Sequence, residues 1–156
     1  MTIRLTRGKD GPDTLTCVRD DGSCTWQPSS EFFARHDLIH YAVETTLGYK
    51  SAFFGLVAVG RDLDSFGTKN GVKDVYTDEE GWAESLVGLL QWPSVGGGPP
   101  LDDEALEDML QTACANGKTP TPAVTPQQLA RIRADVSALH RHWERVPPGE
   151  SLELRF

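Results

Sequence analysis

Alternating apolar and polar residues mark both ends of this chain. Residues 1–27 contain three short segments of this kind, and residues 151–156 contain a fourth. A period of two is typical of strands that bury one face. Asp21-Gly22, between the second and third segments, predicts a hairpin with a type I′ turn. We therefore expect the two ends of the chain to pair in one antiparallel sheet.

The stretch between these ends, residues 28–146, is predicted to be mainly helical. Helix-start signals occur at Ser30-Glu31, at Thr77 and at Thr125, where a capping residue precedes an acidic or amide side chain. Residues 50–62 are apolar nearly all round and predict a buried central helix, with a buried strand as the alternative. The pattern predicts a single α+β domain over residues 1–156, with about four antiparallel strands and about five helices packed on one face of the sheet.

The charge balance excludes two classes of partner. The 156 residues include 15 Lys and Arg against 23 Asp and Glu, which gives a net charge of −8. This acidic surplus disfavours binding to nucleic acid or to an anionic membrane, because both depend on clustered cations. Three cysteines are too few for a disulfide framework, and no signal-peptide pattern is visible, so we expect a cytoplasmic protein.

Chemistry-bearing residues recur at a fixed spacing in only one segment, residues 36–44. His36, His40 and Glu44 are four residues apart in turn. On a helical wheel at about 100° per residue, both histidines fall within the apolar arc and Glu44 lies at its edge. A buried carboxylate beside two imidazoles is stabilised by a shared proton or by a metal ion.

His140, on the last predicted helix, also falls near an apolar arc, whereas His142 points nearly opposite. Residues eight apart on a helix are separated by about 12 Å along its axis, so His36 and Glu44 are not expected to bind one ion together. The workable ligand sets are therefore His36 with His40, or His40 with Glu44, completed by His140 or by a carboxylate from elsewhere.

The segment His36-Asp37-Leu38-Ile39-His40 resembles the H-E-x-x-H helix of zinc metallopeptidases. The resemblance covers five residues, and no downstream ligand motif accompanies it. It implies that His36 and His40 are metal ligands and that Asp37, in place of the family's glutamate, is the general base.

The first functional hypothesis is a divalent-metal-binding protein with hydrolysis as its reaction class. Nitrogen and oxygen ligands favour Zn²⁺ first and Fe²⁺ or Mn²⁺ next. The metal ligands are His36, His40, Glu44 and His140, with Glu44 alternatively orienting a ligand. The catalytic candidates are Asp37, Glu44 and His140. No phosphate-binding or dinucleotide motif is present, so no nucleotide cofactor is expected.

The alternative hypothesis is a non-enzymatic, acidic protein–protein interaction module, such as an adaptor or an immunity-type protein. In that case the histidines are structural, held by hydrogen bonds to Glu44, to backbone or to water. The sequence leaves open whether the partner is a small molecule or a protein, and it does not indicate an oligomeric state.

Overall fold

The computed structural model of the protein describes residues 1–66, 77–117 and 119–156. Residues 67–76 and 118, within the stretch predicted to be mainly helical, lie outside the described residues. The strands are β1 (Thr2–Thr6), β2 (Asp13–Val18), β3 (Cys24–Ser29) and β4 (Ser151–Arg155). The helices are α1 (Glu31–Leu47), α2 (Phe53–Ala58), α3 (Asp78–Leu90), α4 (Asp103–Gly117) and α5 (Pro126–Glu144), with short 3-10 turns at Leu63–Ser65 and Trp92–Val95.

The sheet joins the two ends of the chain, as the alternating patterns predict. Its strand order is β3-β2-β1-β4, and every neighbouring pair is antiparallel. On the inner strand β1, Ile3 lies between Cys17 and Leu154, and Leu5 lies between Leu15 and Leu152. This register brings the apolar residues of three strands to one face. The predicted α+β class is confirmed, with four strands and five helices in the ranges that the structure describes.

The hairpin between β2 and β3 lies at Asp21-Gly22, but its turn is not the predicted two-residue type I′ turn. Arg19 N–H donates to Ser23 O at 2.8 Å, and Gly22 N–H donates to Arg19 O at 3.0 Å. The loop therefore contains three residues, 20–22, and Gly22 has a φ of 85°. Glycine suits this position because a side chain disfavours the left-handed region.

Helix α1 lies between two apolar clusters. One cluster joins the sheet to Ala34 and Leu38 of α1, to α2 and to Trp143 of α5. The other joins Ile39, Ala42 and Val43 of α1 to α3, α4 and α5. Ser30 begins α1 by accepting a hydrogen bond from Phe33 N–H at 3.3 Å, and Gly48 ends it in a left-handed conformation with a φ of 72°. Helix α1 therefore contributes buried residues to both clusters.

Helix α2 is shorter than the predicted helix over residues 50–62. It covers Phe53–Ala58 only, and its N-cap residue Ala52 offers no side-chain hydrogen bond. Glu44 of α1 takes over the capping, because its carboxylate accepts hydrogen bonds from Phe54 N–H at 2.9 Å and from Gly55 N–H at 3.1 Å. A tertiary contact therefore sets where α2 begins.

No helix in the described ranges combines the length and the hydropathy needed to cross a bilayer.

Candidate metal centre

Two histidines on consecutive turns of α1 bring their imidazoles together. The ring centroids of His36 and His40 are 4.8 Å apart, with a 63° angle between the rings. Their Nε2 atoms are separated by 3.2 Å. His40 is almost fully buried, at 2% exposure, whereas His36 is half-buried. The pair therefore runs from the interior toward the surface, as expected for residues four apart on a partly buried helix face.

Glu84 of α3 supplies a carboxylate to the same point. Its Oε1 lies 3.7 Å from His40 Nε2, and its side chain is 53% exposed. The potential ligand atoms of His36, His40 and Glu84 all lie within 4.8 Å of one another. This group can hold a metal ion, because two imidazole nitrogens and a carboxylate oxygen form a donor set suited to divalent cations.

The other ring nitrogen of each histidine meets an oxygen. His40 Nδ1 lies 3.2 Å from Glu44 Oε1, and His36 Nδ1 lies 2.9 Å from Gln91 Oε1. When Nδ1–H donates to these oxygens, Nε2 carries the free lone pair in both rings. Metal-binding histidines are typically oriented by such partners.

Glu44 is held firmly in this position. Its side chain is fully buried, at 0% exposure. Oε2 accepts the hydrogen bonds from Phe54 N–H and Gly55 N–H, and Oε1 faces His40. Glu44 therefore links the orientation of the His40 ring to the start of α2.

Burial shifts the pKa values of four groups at the centre: His36, His40, Glu44 and Asp37. It lowers the pKa of His40 to about 4 and also lowers that of His36, so both imidazoles are neutral near pH 7. Burial raises the pKa of Glu44 to about 8, although the two backbone N–H groups oppose the rise. Burial raises the pKa of Asp37 well above its usual value, and the negative charge of Glu84 raises it further.

Three of the residues predicted from sequence lie outside the His36–His40–Glu84 group. Glu44 faces Nδ1 of His40, on the opposite side of the ring from Nε2. His140 is half-buried, and its Nε2 lies 3.1 Å from the backbone oxygen of Arg35. Asp37 is buried, and its Oδ2 has no hydrogen-bond partner among the described residues.

Sequence reasoning missed Glu84. It lies 44 residues after His40 on another helix, and an exposed glutamate has no local signal that separates it from an ordinary surface residue. The available clue was the requirement for a carboxylate from elsewhere to complete the pair. Gln91, at the end of the same helix, was also missed, although a buried amide must find a partner.

Aromatic rings flank both histidines. Phe32 and Phe33 lie one turn before His36, with ring centroids 6.4 Å and 6.2 Å from its imidazole. Phe53 of α2 lies 5.3 Å from the His40 ring. Phe32 and Phe33 are exposed, at 43% and 56%, whereas Phe53 is half-buried. The polar centre therefore has apolar walls, an arrangement common in small-molecule sites.

No protein family matches this chain. Comparisons with curated proteins and with solved structures also give no match. The site geometry is therefore the basis for the functional argument.

Proposed function

We propose that the protein binds one divalent metal ion through His36 Nε2, His40 Nε2 and the carboxylate of Glu84. The donor set favours Zn²⁺ first and Fe²⁺ or Mn²⁺ next. The observation that carries the proposal is the pair of Nε2 atoms at 3.2 Å, each in a ring whose Nδ1 already faces an oxygen.

The distance between the two nitrogens fits a shared ion. For bonds of about 2.0–2.1 Å and a tetrahedral angle, two ligand nitrogens lie about 3.3–3.4 Å apart. The observed 3.2 Å is close to this value. Two Nε2 lone pairs that face each other repel unless a cation or a proton lies between them, so the arrangement calls for one of the two.

The competing arrangement uses a proton. A protonated Glu44 donates to His40 Nδ1, His40 Nε2–H donates to His36 Nε2, and His36 Nδ1–H donates to Gln91. This chain needs no metal, but it removes the negative charge from Glu44. Burial raises the pKa of Glu44 to about 8 and so favours this protonated form near pH 7, whereas the two backbone N–H groups on Oε2 favour the charged form that the metal arrangement uses.

Three protein ligands leave a coordination position open. Catalytic zinc sites commonly have three protein ligands and a water molecule, including sites with two histidines and one glutamate. A bound metal ion lowers the pKa of its water and so generates a nucleophile near neutral pH. Metal-assisted hydrolysis is therefore the reaction class that this geometry supports best.

Metal analysis of protein purified without a histidine tag tests the proposal. We expect about one equivalent of tightly bound metal per chain, and a Co²⁺ d–d spectrum of tetrahedral or five-coordinate type when the metal-free protein is titrated. His36→Ala and Glu84→Gln should each abolish or greatly weaken binding. Exposed Glu84 is the sharper probe, because its substitution leaves the core untouched.

The matched controls are His142→Ala and Glu107→Gln, which change an exposed histidine and an exposed glutamate on other helices. Both should bind metal like the unaltered protein. If the unaltered protein binds no metal, the proton-sharing arrangement is the correct one. If the control variants lose metal binding as fully as His36→Ala and Glu84→Gln, the binding is nonspecific.

A further inference from the structure

An exposed aromatic pair, Phe32 and Phe33, adjoins His36 of the candidate metal centre. The two rings are edge to face, with centroids 5.3 Å apart. The large exposed apolar residues of the described chain are few (Trp26, Phe32, Phe33, Val59 and Val95). Phe32 and Phe33 are the two neighbours among them, and both rings contact the His36 imidazole.

Neither folding nor helix initiation explains this pair. Phe32 and Phe33 are the second and third residues of α1, where polar and acidic side chains are favoured. Neither residue belongs to the two buried apolar clusters or to the side chains packed against them. Exposed aromatic rings that adjoin a group of polar, metal-binding side chains are typical of ligand contacts.

The charge of the centre indicates the ligand's head group. The ion and its three direct ligands, two neutral imidazoles and the Glu84 carboxylate, have a net charge of +1. The Glu44 carboxylate is not among them, because it lies behind the His40 ring, 3.2 Å from Nδ1. A single oxyanion that completes the coordination neutralises this charge. A ring attached to that oxyanion would meet the aromatic pair, because His36 both contacts the pair and offers Nε2 to the metal position.

We propose that the site takes a small aromatic monoanion, with its oxyanion on the metal and its ring against Phe32 and Phe33. This inference rests on the metal site proposed above and names its ligand class. Phe32 and Phe33 would make the site prefer a ligand with an aryl group to one with a methyl group, because ring-to-ring contact and apolar burial favour the aryl group.

Two hydroxamates that share a chelating head group provide the test. Benzohydroxamate and acetohydroxamate are titrated against protein saturated with Co²⁺, and the change in the d–d spectrum gives each dissociation constant. We expect the ratio of the two constants to favour benzohydroxamate by about tenfold beyond the ratio for free Co²⁺. In the Phe32→Ala/Phe33→Ala double variant this excess should disappear.

Trp26→Ala is the control, because Trp26 is an exposed aromatic residue on β3, at 63% exposure, that has no contact with His36 or His40 among the described ring contacts. The Trp26→Ala variant should keep the full preference for benzohydroxamate beyond that of free Co²⁺. If the unaltered protein binds Co²⁺ but shows no excess, or if the double variant keeps it, the ligand class is wrong and the metal site stands. If the unaltered protein binds no Co²⁺, the metal site and this inference are both overturned.

Discussion

Replacing Glu44 with glutamine changes one atom of a fully buried side chain and should reverse the tautomer of His40. The amide oxygen can still accept hydrogen bonds from Phe54 N–H and Gly55 N–H, which hold Oε2 at 2.9 Å and 3.1 Å in the native protein. The amide NH₂ then faces His40 Nδ1, where Glu44 Oε1 lies 3.2 Å away. Because NH₂ is a donor, Nδ1 must accept, and the ring proton moves to Nε2.

A proton on Nε2 blocks the atom that is proposed to bind the metal. Loss of an orienting partner typically costs 10–100-fold in metal affinity. We therefore expect Glu44→Gln to raise the dissociation constant for Zn²⁺ by about 10–100-fold, or about 1.4–2.7 kcal/mol. The metal-free protein should change its free energy of unfolding by less than about 1 kcal/mol, because each buried donor keeps an acceptor.

Competition with a chromophoric chelator measures the affinity, and urea unfolding in the presence of EDTA measures the stability. Glu79→Gln is the control, since Glu79 also accepts backbone hydrogen bonds, from Lys50 and Ser51, but contacts no histidine. It should leave zinc affinity unchanged. The tautomer argument is refuted if Glu44→Gln binds zinc within about threefold of the unaltered protein while both remain equally stable.

Three further predictions follow from other contacts. Gln91→Leu removes the acceptor for His36 Nδ1–H, so zinc affinity should fall about tenfold or more in the chelator assay. An unchanged affinity would show that Gln91 does not orient the His36 ring for metal binding. Thr77→Ala removes the N-cap of α3 and a hydrogen bond to Ser51 O, so it should lower the free energy of unfolding by about 1–2 kcal/mol. The loss should exceed that of Thr125→Ala, which removes an exposed N-cap only. Equal losses would contradict this order. Burial lowers the pKa of His140, so the metal-free protein should lose stability as pH falls below about 6.5, the ordinary histidine pKa, through the lower folded-state pKa. His140→Gln should reduce this dependence in urea unfolding between pH 7 and pH 5 without abolishing it, because His36 and His40 contribute in the same direction. An unaltered slope would exclude His140 as a contributor.

The parts of the fold that could be predicted from sequence are those set by local patterns. Alternation at both ends is visible in a single sequence, and it correctly predicts that the terminal strand joins the N-terminal meander. The capping boxes at Thr77 and Thr125 likewise mark helix starts that the structure confirms. The error over residues 50–62 has a tertiary cause, because the carboxylate of Glu44 on another helix determines where α2 begins.

In the candidate site, too, some residues are placed by local sequence and others by the packing of helices. The spacing of His36 and His40 is a property of one helix, so the approach of their rings follows from sequence. The position of Glu84 depends on how α3 packs against α1, which no local pattern reveals. The helical wheel predicts that His140 faces inward, and its half-buried ring meets the backbone oxygen of Arg35 rather than the imidazole of His36.

The evidence for a metal comes more from the oxygens behind the histidines than from the histidines themselves. Two histidines four residues apart on a helix approach each other whether or not an ion is bound. Here Glu44 and Gln91 engage both Nδ1 atoms, and they direct both Nε2 atoms at one point near a third, exposed donor. Because Glu44 also begins α2 and Glu84 belongs to α3, an ion at that point would connect three helices. Its binding energy should therefore appear as folding stability, about 2.7 kcal/mol at a free metal concentration 100 times the dissociation constant.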